Sequence, residues 1–171
     1  MKKVIAILSV AVIALLSFAY TKAQSAKNSE GFSTEALASK LKDVNGNEIL
    51  FQDIINKHKG KPIVIEAWAS WCGDCVKNMP KLKELQAQYP KVAFVFLSAD
   101  KTSEAWLKGI EKHELKGDHF LMDGGMKGSF GKAINLDWIP RYIIIDKTGK
   151  VALYRAIETD HEQVNSLLKT L

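Results

Sequence analysis

Two apolar runs of strand length, separated by a segment with helical spacing, constrain the fold of this 171-residue chain most strongly. The runs cover residues 62–69 and 92–98 and are apolar almost throughout, which is typical of strands buried on both faces. Between them, residues 73–88 place apolar side chains on one side and lysines on the other, as in an amphipathic helix. Two such strands joined by a helix predict a parallel βαβ unit within an α/β fold.

Further elements flank this unit. The dipeptide Asn45-Gly46 separates two short strand-like runs, which is the strongest local signal for a β-hairpin. A helix is predicted over residues 103–114 and a second hairpin over residues 141–155, and Asp160 is predicted to cap a final helix. The central sheet should therefore mix parallel and antiparallel strands.

The N-terminus has a different character. Two lysines precede an uncharged, sixteen-residue apolar run over residues 4–19, and small residues follow it. This pattern predicts a secretory signal peptide at residues 1–23. An uncleaved membrane anchor is the alternative, because the run is just below the length that spans a bilayer comfortably. Residues 24–36 indicate a linker, which leaves residues 37–171 as the folded domain.

Removal of the signal peptide would change the net charge. The full sequence is formally +5, but three of its lysines lie in the predicted signal peptide, and the remainder carries +2. No run of lysine and arginine contains interleaved aromatic residues, so a nucleic-acid partner is not expected. We expect a monomer that is exported to the periplasm, or anchored in the membrane if the N-terminal segment is retained.

The chain contains two cysteines, Cys72 and Cys75, placed where the first buried strand meets the amphipathic helix. The free N–H groups and the positive dipole end of a helix start favour a thiolate over a thiol. Cys72 is therefore predicted to be an exposed nucleophile with a lowered pKa. Cys75, one turn into the helix, is predicted to be more buried and to resolve the mixed disulfide.

Other interpretations of the cysteine pair are less favoured. A structural disulfide between residues three apart would constrain the unfolded chain very little. A zinc site requires about four ligands, and the four histidines show no paired ligand spacing, so no metal is expected. Chance spacing would not explain the strand–helix context. The pair is therefore interpreted as a redox-active disulfide that needs no other cofactor.

Residues 63–75 resemble the active-site strand and loop of thioredoxins, and the chain is most similar to their exported, TlpA-type branch. The similarity includes the Asn-Gly hairpin, Pro80 and the dipeptide Ile139-Pro140, and it covers about residues 37–171. The resemblance implies a thioredoxin-like three-layer α/β/α sandwich with a mixed central sheet and an N-terminal β-hairpin. It also implies a cis peptide bond before Pro140, facing the disulfide, and a substrate rim that comprises Trp71, Gly73, Asp74, Ile139 and Pro140.

Glu66 interrupts the first apolar strand. A carboxyl group there is expensive to ionise, so its pKa should be raised, and such an acid could exchange a proton with the resolving thiol. The resemblance places Glu66 behind Cys75 and so gives it a catalytic role. A salt-bridged core residue or a charge at a strand edge is the alternative.

The sequence departs from common thioredoxins at three places. Asp74 stands where proline is usual; it would oppose the helix dipole at Cys72 if it faced the sulfur, or it could cap the helix with a smaller effect. Residues 92–98 lack the lysine that faces the buried acid in thioredoxins. Residues 103–131 form a longer segment than in minimal thioredoxins, and they could serve as a partner surface or as scaffold.

These observations favour an enzyme, a thiol–disulfide oxidoreductase that reduces disulfides of exported proteins and is recharged by a membrane electron donor. A dithiol oxidase is the alternative within the same chemistry, because the motif does not fix the reduction potential. A thiol peroxidase and a non-catalytic binding module are less favoured alternatives, since both cysteines of the pair are present and the residues before Cys72 lack the peroxidase pattern.

Overall fold

A computed structural model describes residues 31–157 and 162–171. The predicted signal peptide, most of the predicted linker and the predicted cap Asp160 lie outside these described residues. The helices are α1 (Thr34–Leu37), α2 (Phe51–Lys57), α3 (Gly73–Gln88), α4 (Ser103–His113), α5 (Ser129–Ala133) and α6 (Glu162–Leu168). The strands are β1 (Lys40–Asp43), β2 (Glu48–Leu50), β3 (Ile63–Trp68), β4 (Ala93–Ser98), β5 (Asp118–Leu121), β6 (Arg141–Ile145) and β7 (Val151–Ala156).

The strands form one mixed sheet in the order β2-β1-β5-β4-β3-β6-β7. Strands β3, β4 and β5 are parallel neighbours, whereas β6 pairs with β3 in the antiparallel direction and β7 pairs with β6. Strands β1 and β2 form the predicted N-terminal hairpin, and β1 joins the sheet beside β5. The predicted βαβ unit is confirmed, and β3 is an interior strand between β4 and β6.

Helices cover both faces of the sheet. The crossovers from β3 to β4 and from β4 to β5 are expected to be right-handed, which puts α3 and α4 on one face. Helices α2 and α5 meet on the other face, where the rings of Phe51 and Phe130 are 4.8 Å apart. Every residue of β3 and β6 is buried, as expected for strands covered on both sides.

The packed domain starts before residue 37, where the sequence indicated a linker. Ser33 caps α1 by accepting the N–H of Ala36, and Ala36 is fully buried. The ring of Phe32 packs edge-on against Phe51 with centroids 4.8 Å apart. Helix α3 continues through Pro80 to Gln88, which confirms the range predicted from its spacing. Across the described residues, no helix is long and apolar enough to cross a membrane.

Candidate active site

The cysteine pair lies at the carboxyl end of β3 and the start of α3. Cys72 and Cys75 form a disulfide with their Cα atoms 5.2 Å apart. Cys72 is the N-cap residue of α3, and its Sγ accepts the backbone N–H of Cys75 at 3.1 Å. When the disulfide is reduced, this N–H and the helix dipole both stabilise negative charge on the Cys72 sulfur.

Burial distinguishes the two sulfur-bearing residues. Cys75 is fully buried, and Cys72 is 7% exposed. Cys72 is thus the more accessible of the pair, as predicted, but the expectation of an openly exposed residue is wrong. The reason is the facing loop: the carbonyl oxygen of Ile139 lies 3.7 Å from the Cys72 Sγ. The Ile139-Pro140 peptide bond is cis, as the resemblance implied.

The rim residues predicted from the resemblance divide into two groups. Trp71 is 61% exposed beside the disulfide, and Gly73 and Asp74 are exposed in the first turn of α3. Ile139 and Pro140 are buried against the sulfur rather than open to solvent. Because Cys72 is the N-cap, the alternative in which Asp74 caps α3 is wrong.

A second exposed tryptophan, Trp138, was not predicted as part of the site. It is 53% exposed and immediately precedes Ile139, so an indole ring projects from each of the two segments that meet at Cys72. The other two tryptophans, Trp68 and Trp106, are buried, and Trp68 belongs to the run 62–69 that was predicted to be buried on both faces.

The loop before Pro140 is braced by a buried arginine that sequence analysis missed. Arg141 is 1% exposed, and its Nη2 donates to the carbonyl oxygen of Asn135 at 3.3 Å and to Asp137. Asp137 also accepts a hydrogen bond from Arg155 at 2.7 Å. Desolvation opposes ionisation of Asp137, but the two arginines prevail and lower the pKa of its carboxyl group. No local pattern distinguishes this arginine from an exposed one at a strand start.

Glu66 is buried on the interior strand β3, on the face that α3 and α4 cover. Trp68 lies two residues after Glu66 and therefore points to the same face of β3. Its ring lies against α4, because a Cβ atom placed on Gly109 of that helix would be 3.1 Å from the Cη2 atom of Trp68. Desolvation raises the pKa of Glu66 to about 8, although a hydrogen bond from the Tyr142 hydroxyl to Oε1, 3.0 Å long, acts in the opposite direction. The predicted rise in pKa is confirmed, and Glu66 is not at a strand edge.

The surroundings of Glu66 differ from those of a salt-bridged acid. Phe96 stands opposite it on β4, and Tyr142 stands opposite it on β6. Its Oε2 atom is buried without a hydrogen-bond partner in the described part of the chain. Tyr142 could have been suspected from the sequence, because its hydroxyl is the single neutral polar group within the apolar run 142–145.

Asp100 holds the segment that leads into the cysteine motif. This carboxylate is 2% exposed and accepts both the N–H and the hydroxyl of Ser70, at 3.0 and 2.7 Å. The hydroxyl of Ser98 donates to it as well, at 2.8 Å. Ser70 lies two residues before Cys72, so these hydrogen bonds fix the backbone from which the nucleophile projects. The sequence did not identify this contact, which spans thirty residues.

Comparison with known proteins agrees with this geometry. The family described as Redoxin matches residues 22–171. Thiol-disulfide oxidoreductase ResA of Bacillus thuringiensis (strain Al Hakam) is 32% identical over 133 residues, which cover 75% of this chain and 72% of that protein.

Solved structures give the same result. A thiol-disulfide oxidoreductase from Bacteroides vulgatus is 34% identical with a TM-score of 0.63, over 79% of this chain and 89% of that one. A secreted disulfide oxidoreductase of Mycobacterium tuberculosis is 19% identical with a TM-score of 0.62, over 81% and 100% of the two chains, and shows the same fold. These matches confirm the thioredoxin-like fold expected from the sequence and are consistent with its TlpA-type branch.

Proposed function

We propose that this chain, which belongs to the redoxin family, reduces disulfides in exported proteins. The premise is that its relatives in this family are thioredoxin-like thiol–disulfide oxidoreductases. The observation that carries the proposal is the position of the Cys72 sulfur, which accepts the Cys75 N–H at the start of α3. A sulfur held there is a stable thiolate and a good leaving group, and both properties serve thiol–disulfide exchange.

The reaction follows from the asymmetry of the pair. The Cys72 thiolate attacks one sulfur of a substrate disulfide, the substrate S–S bond breaks, and one substrate thiolate leaves. Cys75 then loses its proton and attacks the Cys72 sulfur of the mixed disulfide. The Cys72–Cys75 bond forms, the second substrate thiolate leaves, and two electrons have passed from the cysteine pair to the substrate.

Glu66 is proposed to accept the proton that Cys75 loses. It lies on the sheet face that α3 covers, and with a pKa of about 8 it is about one-tenth ionised at pH 7; this ionised form accepts the proton. The hydrogen bond from Tyr142 fixes Oε1, which leaves Oε2 as the atom available for the transfer. This assignment keeps the proton inside the protein during the second exchange.

The partners follow from the direction of electron flow. A reductase that leaves each cycle oxidised must be reduced again, and we propose a membrane electron donor for that step. The predicted signal peptide supports export to the periplasm, and a membrane anchor remains the alternative form of the same segment. We propose that the enzyme acts as a monomer on disulfide-containing exported proteins.

The equilibrium potential of the Cys72–Cys75 pair tests the direction. It would be measured in glutathione redox buffers by following the thiols of the purified domain. A potential near that of thioredoxin, about −270 mV, is the expected result, whereas a value near about −120 mV would make the protein a dithiol oxidase. The Cys75→Ser variant should accumulate a mixed disulfide with a protein substrate, and Cys72→Ser should form none. Equal trapping by both variants would refute the assigned roles.

A further inference from the structure

A groove of about 1220 Å³ opens beside the disulfide. Trp71, the neighbour of Cys72, lines it together with residues of β1 and β2, the loop after β4 and the segment after β5. The last of these lies within residues 103–131, the segment that is longer than in minimal thioredoxins. The groove therefore reaches the residue next to Cys72, although neither cysteine lines it, and it is built partly by the additional segment.

Lysines dominate the charged side chains that face this groove. Four exposed lysines line it, namely Lys40, Lys42, Lys101 and Lys127. The exposed acids in the lining are Glu48 and Asp123. A third acid, Asp100, is buried and accepts hydrogen bonds from Ser70 and Ser98, so it faces the protein rather than the groove.

The positive charge of the groove is only partly neutralised by neighbouring side chains. Glu48 is engaged by Lys40 at 2.9 Å, and Lys40 and Lys42 together lower the pKa of its carboxyl group. Lys42, Lys101 and Lys127 take part in no ion pair closer than 4.0 Å within the described ranges. An occupant of the groove therefore meets a surplus of cations next to an exposed indole.

We propose that this groove binds an acidic, extended segment of the substrate protein that adjoins its disulfide, a statement that rests on the proposed function. A substrate sulfur at Cys72 brings the neighbouring residues of its chain to Trp71, and the groove continues from there. Carboxylates along that segment would complement the lysines, and Trp71 would cover an apolar side chain next to the substrate cysteine. The groove thus selects among disulfides by the charge beside them.

The test compares two charge-reversal variants with the same net charge. The groove variant carries Lys42→Glu, Lys101→Glu and Lys127→Glu. The control variant carries Lys91→Glu, Lys150→Glu and Lys169→Glu, three exposed lysines outside the groove. Substrates are two synthetic peptides with the same disulfide, one flanked by glutamates and one by lysines, and the readout is kcat/KM at low and high salt.

Wild-type protein and the control variant are expected to prefer the acidic peptide about tenfold at low salt, and salt should reduce the preference. The groove variant should lose or invert it. Equal behaviour of the groove and control variants, or no preference in wild type, would overturn the proposal. A dimer that the groove mutations abolish would also overturn it, because the groove would then bind a second copy of the chain.

A neutral small disulfide, hydroxyethyl disulfide, separates this inference from the proposed function. All three proteins are expected to react with it at equal rates, because it does not reach the groove. Failure of every protein to react with this compound would count against the oxidoreductase itself. Equal rates of all three proteins with hydroxyethyl disulfide, together with a preference for the acidic peptide only in proteins with an intact groove, would support the groove as the substrate-binding site.

Discussion

Replacement of Glu66 by glutamine should remove a pH dependence that burial of its carboxyl group imposes on stability. Desolvation raises the pKa of Glu66 from 4.5 to about 8 in the folded protein, despite the opposing hydrogen bond from Tyr142. Between these two values the folded protein holds a proton that the unfolded chain releases. The stability that this proton provides is complete below pH 4.5 and declines as the pH rises to 8, by about 1.4 kcal/mol per pH unit.

The size of the effect at neutral pH follows directly. At pH 7 the raised pKa lowers the free energy of unfolding by about 3 kcal/mol relative to its value at pH 4.5. Glutamine has the shape of a protonated glutamate and can still accept the Tyr142 hydroxyl, but it has no proton to lose. Glu66→Gln should therefore equal wild type in stability at pH 4.5 and exceed it by about 3 kcal/mol at pH 7.

Urea unfolding of the oxidised protein at several pH values between 4.5 and 8 measures this difference. Other titrating groups contribute equally to the stability of variant and wild type, so their contributions cancel in the difference. His119, whose pKa is lowered by burial, is one of these groups. Tyr142→Phe is the companion variant, because loss of the hydroxyl should raise the pKa of Glu66 further and extend the decline to higher pH. A stability difference that stays constant across this pH range would show that Glu66 is ionised in the folded protein and would refute the reasoning.

Three other substitutions test the supports of the site and the core. Asp100→Asn should destabilise the protein by about 2 kcal/mol, because the charge-assisted hydrogen bonds from Ser70 would be weakened. Asp137→Asn should cost about 2 kcal/mol by leaving the buried guanidinium of Arg141 without its counterion, and should lower activity on protein disulfides by loosening the loop before Pro140. Leu82→Ala removes a fully buried side chain of α3 and should cost about 3 kcal/mol. Urea unfolding measures all three.

Each of these substitutions has a matched control. Asp123→Asn changes an exposed acid, Arg155→Gln removes the exposed partner of Asp137, and Lys77→Ala alters the exposed side of α3. Each control should change the free energy of unfolding by less than about 1 kcal/mol. If any of the three test variants proved as stable as its control, the contact that the substitution removes would not stabilise the fold as expected.

The βαβ unit and the cysteine motif could be predicted because their signals are local. Burial on both faces makes β3 apolar at every position except Glu66, and burial on one face gives α3 its helical spacing. Each pattern therefore reflects the surroundings of its own segment. The position of Cys72 at a helix start followed from the junction of these two patterns. Helix α1 escaped prediction because its four residues are too few to show a period, and its burial depends on contacts with α2.

Contacts between distant segments had no such signal. The hydrogen bond between Tyr142 and Glu66 joins residues seventy-six apart, and it exists because β6 pairs with β3 in one antiparallel register. A register shifted by one residue would turn the tyrosine to the opposite face. The groove beside Trp71 likewise requires β1 to join the sheet next to β5, an arrangement that local spacing does not encode.

The amino-acid sequence by itself determined which chemistry the protein performs, because the reactivity of two cysteines at a strand–helix junction depends on the local backbone at the helix start. The tertiary structure decided what surrounds that chemistry: the acid with its tyrosine partner, the arginine that braces the facing loop, and the lysines that line the groove. The physical reason is that a helix dipole acts on the residues that begin the helix, whereas burial, hydrogen bonding and charge complementarity arise between segments only when the sheet sets their register.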